Sequence, residues 1–336
     1  MTRLLMAISP ARADDVCDPA TRTMIESRFD TTWADDQLDV ATLRRLLPGR
    51  DAVITSWGTP PLPTDLLGAD AGGPTVVGHA AGTIKKLLDG EGLARVTTFS
   101  AAPRIAWSVG EYCLSALLTL LRRLPAYDAG IRSGGWKPVA GPGREPLLRG
   151  LELRGSRIGI VGASSTARAF IELLRPFGVE MLVHDPYLDP ARADALGVRP
   201  ASLSEVMACA VLSIHVPATP ETEGMITAEL LDRLPDGGIV INSSRAAAVD
   251  NEALIAAADS GRLRVALDVY PTEPPDLAPE VLQNPNLLLT PHIAGDTGNG
   301  HQALVRYVLD DMIAFLDSGT THGPSWVDPA NLAITA

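Results

Sequence analysis

The chain has 336 residues, 46% of them hydrophobic, and a net charge of −12 with no block of lysine and arginine. That length supports two domains with separate cores, and an acidic chain without clustered cations excludes phosphate-backbone binding, so no nucleic-acid partner is expected. The three cysteines, Cys17, Cys113 and Cys209, are odd in number and far apart, which excludes a disulfide framework and a metal knuckle; no metal is expected, and a reducing cytoplasm is the implied compartment.

Residues 1–9 carry one basic residue and five consecutive apolar ones. A secretory signal needs a longer apolar core and a cleavage site, so a first strand is expected at 4–9. Further short buried strands are expected at 52–56, 75–79 and 96–100, with helices at 38–47 and 83–88. The spacing then predicts one long helix over 108–123, capped by Ser108 with Glu111 completing a capping box. It is apolar nearly all round, which points to burial or to a subunit interface. The interface is favoured, and with it a homodimer. Its longest apolar run, 114–121, is broken by Ser115 and Thr119 and is too short to span a bilayer, so no membrane association is expected. The Gly- and Pro-rich stretch 134–149 reads as a loop.

A second series begins at residue 157. Strands are expected at 157–161, 179–184, 211–216, 238–242, 265–269 and 287–290, with helices at 166–177, 203–209, 228–234 and 251–260. A last helix, 300–316, returns beyond them. This alternation predicts an α/β protein of two Rossmann-like domains, each a doubly wound parallel sheet, separated by a hinged cleft. The substrate-binding domain is expected over 1–106 and 297–336, and the nucleotide-binding domain over 107–296.

The run Ile158-Gly159-Ile160-Val161-Gly162-Ala163-Ser164-Ser165-Thr166-Ala167 follows a strand and opens a helix, where a G-x-G-x-x-G dinucleotide fingerprint belongs. The first glycine, needed for the tight turn, is Gly162. The second position, where the backbone approaches the pyrophosphate, is Ser164, whose hydroxyl is able to donate to a phosphate oxygen. The third, at the helix–strand contact, is Ala167, the least damaging replacement. The helix N-terminus beyond still offers free N–H groups and a favourable dipole. Asp185 ends the next strand, 23 residues after Gly162. A carboxylate there accepts from the adenosine ribose hydroxyls and repels a 2′-phosphate, which favours NAD over NADP.

Three later runs belong together: Asn242-Ser243-Ser244-Arg245-Ala246, Leu267-Asp268-Val269-Tyr270-Pro271-Thr272-Glu273-Pro274 and Thr290-Pro291-His292-Ile293-Ala294-Gly295. Here the chain resembles the D-isomer-specific 2-hydroxyacid dehydrogenase family. The likeness covers nearly the whole chain and is strongest from 155 to 295. It implies that Arg245 binds the substrate carboxylate, that Glu273 pairs with His292, and that His292 is the acid/base. The residue types suit that chemistry. Hydride reduction of a ketone leaves an alkoxide, so a proton must arrive with the hydride, and a histidine titrates near the working pH. A neighbouring carboxylate orients the imidazole and favours its protonated form. An arginine grips a carboxylate with two prongs and polarises the keto oxygen.

The resemblance also implies that the backbone of Ala81, Gly82 and Thr83 holds the substrate carboxylate, with Thr83 touching the cofactor. It places Ser165, Thr166, Val216, Pro217, Thr222, Ser243, Ser244 and Asp268 along the cofactor, Asp268 near the nicotinamide carboxamide. The implied activity is NAD-dependent interconversion of a small D-2-hydroxy acid and its 2-keto acid. Ala246 stands where members usually carry glycine, and Ile105 where many carry asparagine. Both departures bear on which acid is used, as do Lys85, Lys86 and Arg104, which are suited to a second anionic group. Glu273 argues against the formate-oxidising branch, which carries glutamine there. The alternative is a nucleotide-sensing or partner-binding protein on the same fold with little turnover, which has no need of a proton donor at 292.

Overall fold

A computed structural model describes residues 1–136, 150–320 and 323–329. Beyond residue 136 the loop expected at 134–149 lies outside the described residues. The chain divides into two compact units, Met1–Ile105 with Asp296–Ala336, and Ala106–Gly295. Each is built on one parallel sheet with helices on its faces.

In the first unit, strands β1 (Arg3–Ala7), β2 (Asp30–Trp33), β3 (Ala52–Thr55), β4 (Val76–His79) and β5 (Thr97–Ser100) lie in the order β2-β1-β3-β4-β5. Alternation along β1 assigns its side chains to two cores. Leu4 and Met6 pack with Val305, Val308, Leu309 and Met312 of the helix Leu304–Ser318. Leu5 and Ala7 pack on the other face with Leu43 and Leu47. The helix Leu304–Ser318 lies so close to β4 that a Cβ on Gly78 would stand 2.5 Å from the Met312 sulfur.

Several expectations for this unit are corrected. Strand β2 has a polar sequence, Asp-Thr-Thr-Trp, on a half-exposed edge, so no apolar run announces it. Residues 83–88 form a turn, not a helix: the N–H groups of Leu87 and Leu88 both donate to the Ile84 carbonyl. The helix comes later, at Gly90–Arg95, because Asp89 caps it through the Gly92 N–H at 2.7 Å. The long helix runs from Ala102 to Arg122, so Ser108 is an interior residue and caps nothing. Ser100 holds its start instead, its hydroxyl oxygen accepting from the Ala102 N–H at 3.1 Å, and Pro103 fits the first turn. The expected last helix is two, Gly298–Gln302 and Leu304–Ser318.

In the second unit the strands are β6 (Arg157–Val161), β7 (Glu180–His184), β8 (Arg199–Pro200), β9 (Val211–Ile214), β10 (Gly238–Asn242), β11 (Leu263–Leu267) and β12 (Leu287–Leu289). Their order, β12-β11-β10-β9-β6-β7-β8, is doubly wound. The chain reverses direction across the sheet between β6 and β9, the switch point where such sheets bind ligands at their strand C-termini. The long helix belongs to this unit from Ala106 onward. It is not apolar all round: Val109, Cys113, Ala116, Leu117, Leu120 and Leu121 are buried, while the polar Glu111 and Ser115 are exposed. Gly110 lets it approach the helix Ser165–Leu174, where a Cβ would stand 2.9 Å from that of Ala169.

Each sheet buries one histidine at its C-terminal edge, His79 after β4 and His215 after β9, 6% and 1% exposed. Burial pushes His79 down to about 4 and His215 down to about 3. Both are neutral in the folded protein, whereas the unfolded chain takes up their protons near pH 6.5. Their contribution is therefore complete above pH 6.5 and is lost as the pH falls from there toward 4. Urea unfolding at pH 5 should show each unit about 2 kcal/mol less stable than at pH 7.5 from its own histidine. Equal midpoints at the two pH values would show that these imidazoles are not buried neutral.

Candidate active site

The C-terminal edge of the second sheet carries most of the residues singled out by sequence. Gly162 follows β6 with φ +93°, and its N–H donates to the His184 carbonyl at 2.8 Å. A Cβ here would stand 2.9 Å from the His215 carbonyl oxygen, so only glycine fits. Ser164 is the N-cap of the helix Ser165–Leu174, but its side chain makes no capping bond. The hydroxyl pairs sideways with Thr166 Oγ1 at 3.0 Å, which in turn meets His215 Nδ1 at 3.0 Å. His215 Nε2 pairs with Ser213 Oγ at 2.8 Å. The first-turn N–H groups of the helix are thus left open toward solvent or an anion. Ala167 is fully buried. Arg168 bends back to donate to Ser165 Oγ at 3.1 Å, a cation in the first turn.

Asp185 sits at the end of β7, with both oxygens engaged. Oδ2 accepts from the Ala163 N–H at 2.6 Å and Oδ1 from the Tyr187 N–H at 2.8 Å. It therefore ties the glycine turn to the next strand, and only its remaining lone pairs are available to a ribose. Val216 packs against Gly162. Thr222 closes the loop after Pro217, its hydroxyl donating to the Pro217 carbonyl at 2.6 Å.

After β10, buried Asn242 shapes the turn that presents Arg245. Its Oδ1 accepts from the Ser244 N–H at 3.1 Å, and its Nδ2 donates to the Arg245 carbonyl at 3.0 Å. Ser243 Oγ lies 3.2 Å from the Cys113 sulfur of the long helix. Arg245 has φ −146°, and Ala246 opens a short 3-10 helix, so nothing here demands glycine. Among the described residues Arg245 makes no ion pair within 4.0 Å, and its Nη1 donates to the Ser244 carbonyl.

Asp268 is fully buried. Oδ1 accepts from the Thr290 hydroxyl at 2.7 Å and the Ile293 N–H at 2.8 Å, and Oδ2 from the Ala294 N–H at 2.8 Å. This carboxylate, expected near the nicotinamide carboxamide, holds the loop after β12. That loop carries His292, one of two non-glycine residues with positive φ among those described, at +55°. Tyr112 of the long helix pairs with Thr290 Oγ1 at 2.6 Å. Burial pushes the Tyr112 phenol well up, so it stays protonated. Because Thr290 gives its proton to Asp268, Tyr112 is the donor in that pair.

Glu273 and His292 meet at 2.8 Å, Oε2 to Nδ1. Glu273 Oε1 accepts from the Tyr270 N–H at 3.2 Å. The bond from His292 holds the Glu273 carboxyl below the usual range, helped by the Tyr270 N–H and by the charges of His292 and Arg245. The His292 side chain is 52% exposed, so its second ring nitrogen is open to a small molecule. Sequence reasoning missed Tyr112, Asn242, Tyr270 and Thr290. The signal available was an adjacent tyrosine and cysteine, Tyr112 and Cys113, in the middle of the long helix.

Ala81, Gly82 and Thr83 lie in the first unit, after β4. Among the described residues the N–H groups of 81–84 have no hydrogen-bond partner. Lys85 and Lys86 are exposed, and Arg104 and Ile105 half-buried. No group of three potential metal ligands occurs among the described residues.

Residues 114–294 match the sequence profile of the D-isomer specific 2-hydroxyacid dehydrogenase, NAD binding domain. A D-3-phosphoglycerate dehydrogenase of Mycobacterium bovis is 30% identical over 285 residues, 84% of this chain and 52% of that protein. One from Archaeoglobus fulgidus is 30% identical over 208 residues, 61% of this chain and 38% of that protein. The chain spans about half the length of the curated relatives it matches. A phosphoglycerate oxidoreductase from Rhizobium etli shares the fold with a TM-score of 0.79 and 25% identity, over 97% of this chain and 98% of that one. D-2-hydroxyisocaproate dehydrogenase has a TM-score of 0.75 at 21% identity, over 97% of this chain and 99% of that one.

Asp268→Asn replaces an acceptor by an NH₂ group aimed at N–H or O–H donors. Leaving those buried donors unpaired should cost about 1–3 kcal/mol in urea unfolding. A variant as stable as the parent would mean that the three-donor clasp is not formed.

Proposed function

Because the chain belongs to the D-isomer-specific 2-hydroxyacid dehydrogenases, we propose that it interconverts a small D-2-hydroxy acid and its 2-keto acid with NAD(H). The observation that carries this reading is the Glu273–His292 pair at 2.8 Å, with the charge of Arg245 felt at Glu273, on three loops of one sheet edge. A protein that only sensed the nucleotide has no use for a carboxylate-backed imidazole half open to solvent.

The residues at the switch point fit a dinucleotide. The Gly162 turn is a cradle that a Cβ would fill, and the helix behind it is uncapped. Gly162, Ser164, Ser165 and Thr166 would hold the pyrophosphate, Asp185 and Val216 the adenosine side, and Ser243 and Ser244 the nicotinamide side. When bound, NAD(H) supplies the hydride acceptor or donor.

The chain's own part is to bind, orient and move a proton. Arg245 takes the substrate carboxylate through a guanidinium with no competing acid within 4.0 Å among the described residues, and draws charge from the adjacent keto oxygen. Glu273 occupies His292 Nδ1, which leaves Nε2 as the atom that exchanges a proton with the substrate oxygen. In reduction Nε2 gives its proton to the developing alkoxide. In oxidation it takes the hydroxyl proton, and Glu273 stabilises the resulting imidazolium. In the first unit, the N–H groups of 81–84 receive an anionic group.

The chain works as a homodimer in a reducing cytoplasm. Support for the dimer is the exposed apolar set Trp107, Leu124, Ile131 and Leu151 around the long helix and the one after it. Support for the compartment is that all three cysteines are free thiols. No helix among the described residues is long and apolar enough to cross a membrane.

Mixing the protein with NADH and a panel of 2-keto acids, and following loss of reduced nicotinamide, tests the activity. Binding of NADH without turnover of any keto acid would overturn it in favour of the sensor. His292→Ala should lower turnover by about 10²–10⁴-fold with NADH binding nearly unchanged; an unaffected rate removes His292 from the mechanism. Asp185→Ala should weaken the preference for NAD over NADP. It should also loosen the glycine turn, so that NADH affinity falls as well; an unchanged ratio of the two affinities means the ribose is read elsewhere.

A further inference from the structure

In the first unit three buried polar side chains surround one short stretch of backbone. Ser56, His79 and Ser100 are 1%, 6% and 5% exposed, at the C-terminal ends of β3, β4 and β5. Buried hydroxyls and imidazoles are costly unless hydrogen-bonded, and the two serines spend their protons on the carbonyls of residues 80–82. Ser56 Oγ donates to the Ala80 carbonyl at 2.8 Å. Ser100 Oγ donates to the Gly82 carbonyl at 2.9 Å, with the Ala81 carbonyl at 3.4 Å.

These donors are themselves fixed. Ser100 Oγ accepts from the Ala102 N–H at 3.1 Å, so its one proton is directed at the loop. His79 Nδ1 lies 2.9 Å from Thr55 Oγ1. Thr55 Oγ1 also donates to the Gly78 carbonyl at 3.1 Å, so the His79 ring is tied to the end of its own strand. Carbonyls of consecutive peptides are thus clamped from the protein side. A peptide plane held at its carbonyl has its N–H aimed the opposite way. Beyond Ala80, whose N–H continues the sheet ladder to Thr55, the N–H groups of Ala81, Gly82, Thr83 and Ile84 have no partner among the described residues, although Ala81 and Ile84 are buried. Unpaired buried N–H groups are rare, and a run of them forms a concavity for an anion.

We propose that Ser56 and Ser100, with His79 holding Thr55 at the adjacent strand end, are positioning residues that clamp the carbonyls of 80–82 and so aim the N–H groups of 81–83 at a carboxylate. The proposal rests on the reading of this stretch as a carboxylate site. None of the three touches substrate; they act through the backbone they hold.

The test uses glyoxylate, the smallest 2-keto acid, for turnover, and oxalate for binding to the NADH-loaded protein. Ser100→Ala and Ser56→Ala should each raise the glyoxylate KM and the oxalate Kd by about tenfold, the effect of losing one such hydrogen bond. The kcat at saturation and the NADH Kd should stay within about twofold. Ser100→Thr, which keeps the hydroxyl, should restore both values. Melting curves come first, and Ser56→Ala carries the test if Ser100→Ala does not fold. Unchanged oxalate Kd and KM overturn the proposal, as does a fall in kcat and NADH binding together, which marks a merely structural role. If the parent reduces no keto acid but binds oxalate in a Ser100-dependent way, the dehydrogenase reading fails and the clamp stands. If glyoxylate is reduced and Ser100→Ala changes nothing, the clamp fails and the dehydrogenase reading stands.

Discussion

The buried carboxylate of Asp268 is the constraint on which the second unit's chemistry depends. It is fully desolvated and takes three donors, two backbone N–H groups and a threonine hydroxyl, from one short loop. A carboxylate buried this way is tolerable only when its lone pairs are filled, so the loop has little freedom to move. That rigidity holds His292 in a left-handed backbone conformation that a histidine adopts only when its surroundings over-determine it. The imidazole then meets Glu273 without searching for it. The long helix adds one further donor, Tyr112, to the same cluster.

The two units use one device on different sheets. Each ends a strand in a buried, neutral histidine whose ring meets a hydroxyl of a neighbouring residue. In the first, His79 pairs with Thr55, whose hydroxyl also reaches the Gly78 carbonyl. In the second, His215 joins Ser213 to Thr166, beside the glycine turn. In both, the hydroxyl-rich strand ends replace water as the partner of loop polar groups, so that a small ligand meets fixed dipoles and not reorganising solvent.

Much of this was legible from residues alone. Apart from the exposed two-residue β8, which no apolar run announces, the strands from 157 to 289 are short apolar runs bounded by Gly, Pro and Asp, and such runs survive any helix–strand ambiguity when they recur in alternation. Arg245, Glu273 and His292 were legible because their neighbours form recognisable runs at strand ends. What escaped had physical reasons. Strand β2 pairs through its backbone at a half-exposed edge, so its side chains carry no hydrophobic signal. The start of the long helix was read six residues late because Ser108 and Glu111 mimic a capping box, while the true anchor, Ser100, lies in the preceding strand. That Asp185 and Asp268 also clasp the N–H groups of Ala163, Tyr187, Ile293 and Ala294 was not legible, because those partners are set by tertiary approach, which no spacing rule contains.

The altered fingerprint has a consequence for the unfolded chain. Only Gly162 occupies a conformation closed to other residues; Ser164 sits at φ −64° and Ala167 lies within a helix. At the latter two positions a glycine would enlarge the disordered ensemble without easing anything in the native state. Keeping serine and alanine there lowers the entropy forfeited on folding by about 0.4–1 kcal/mol per site. A turn that looks degenerate as a motif is thereby a more robust nucleus for the sheet around it.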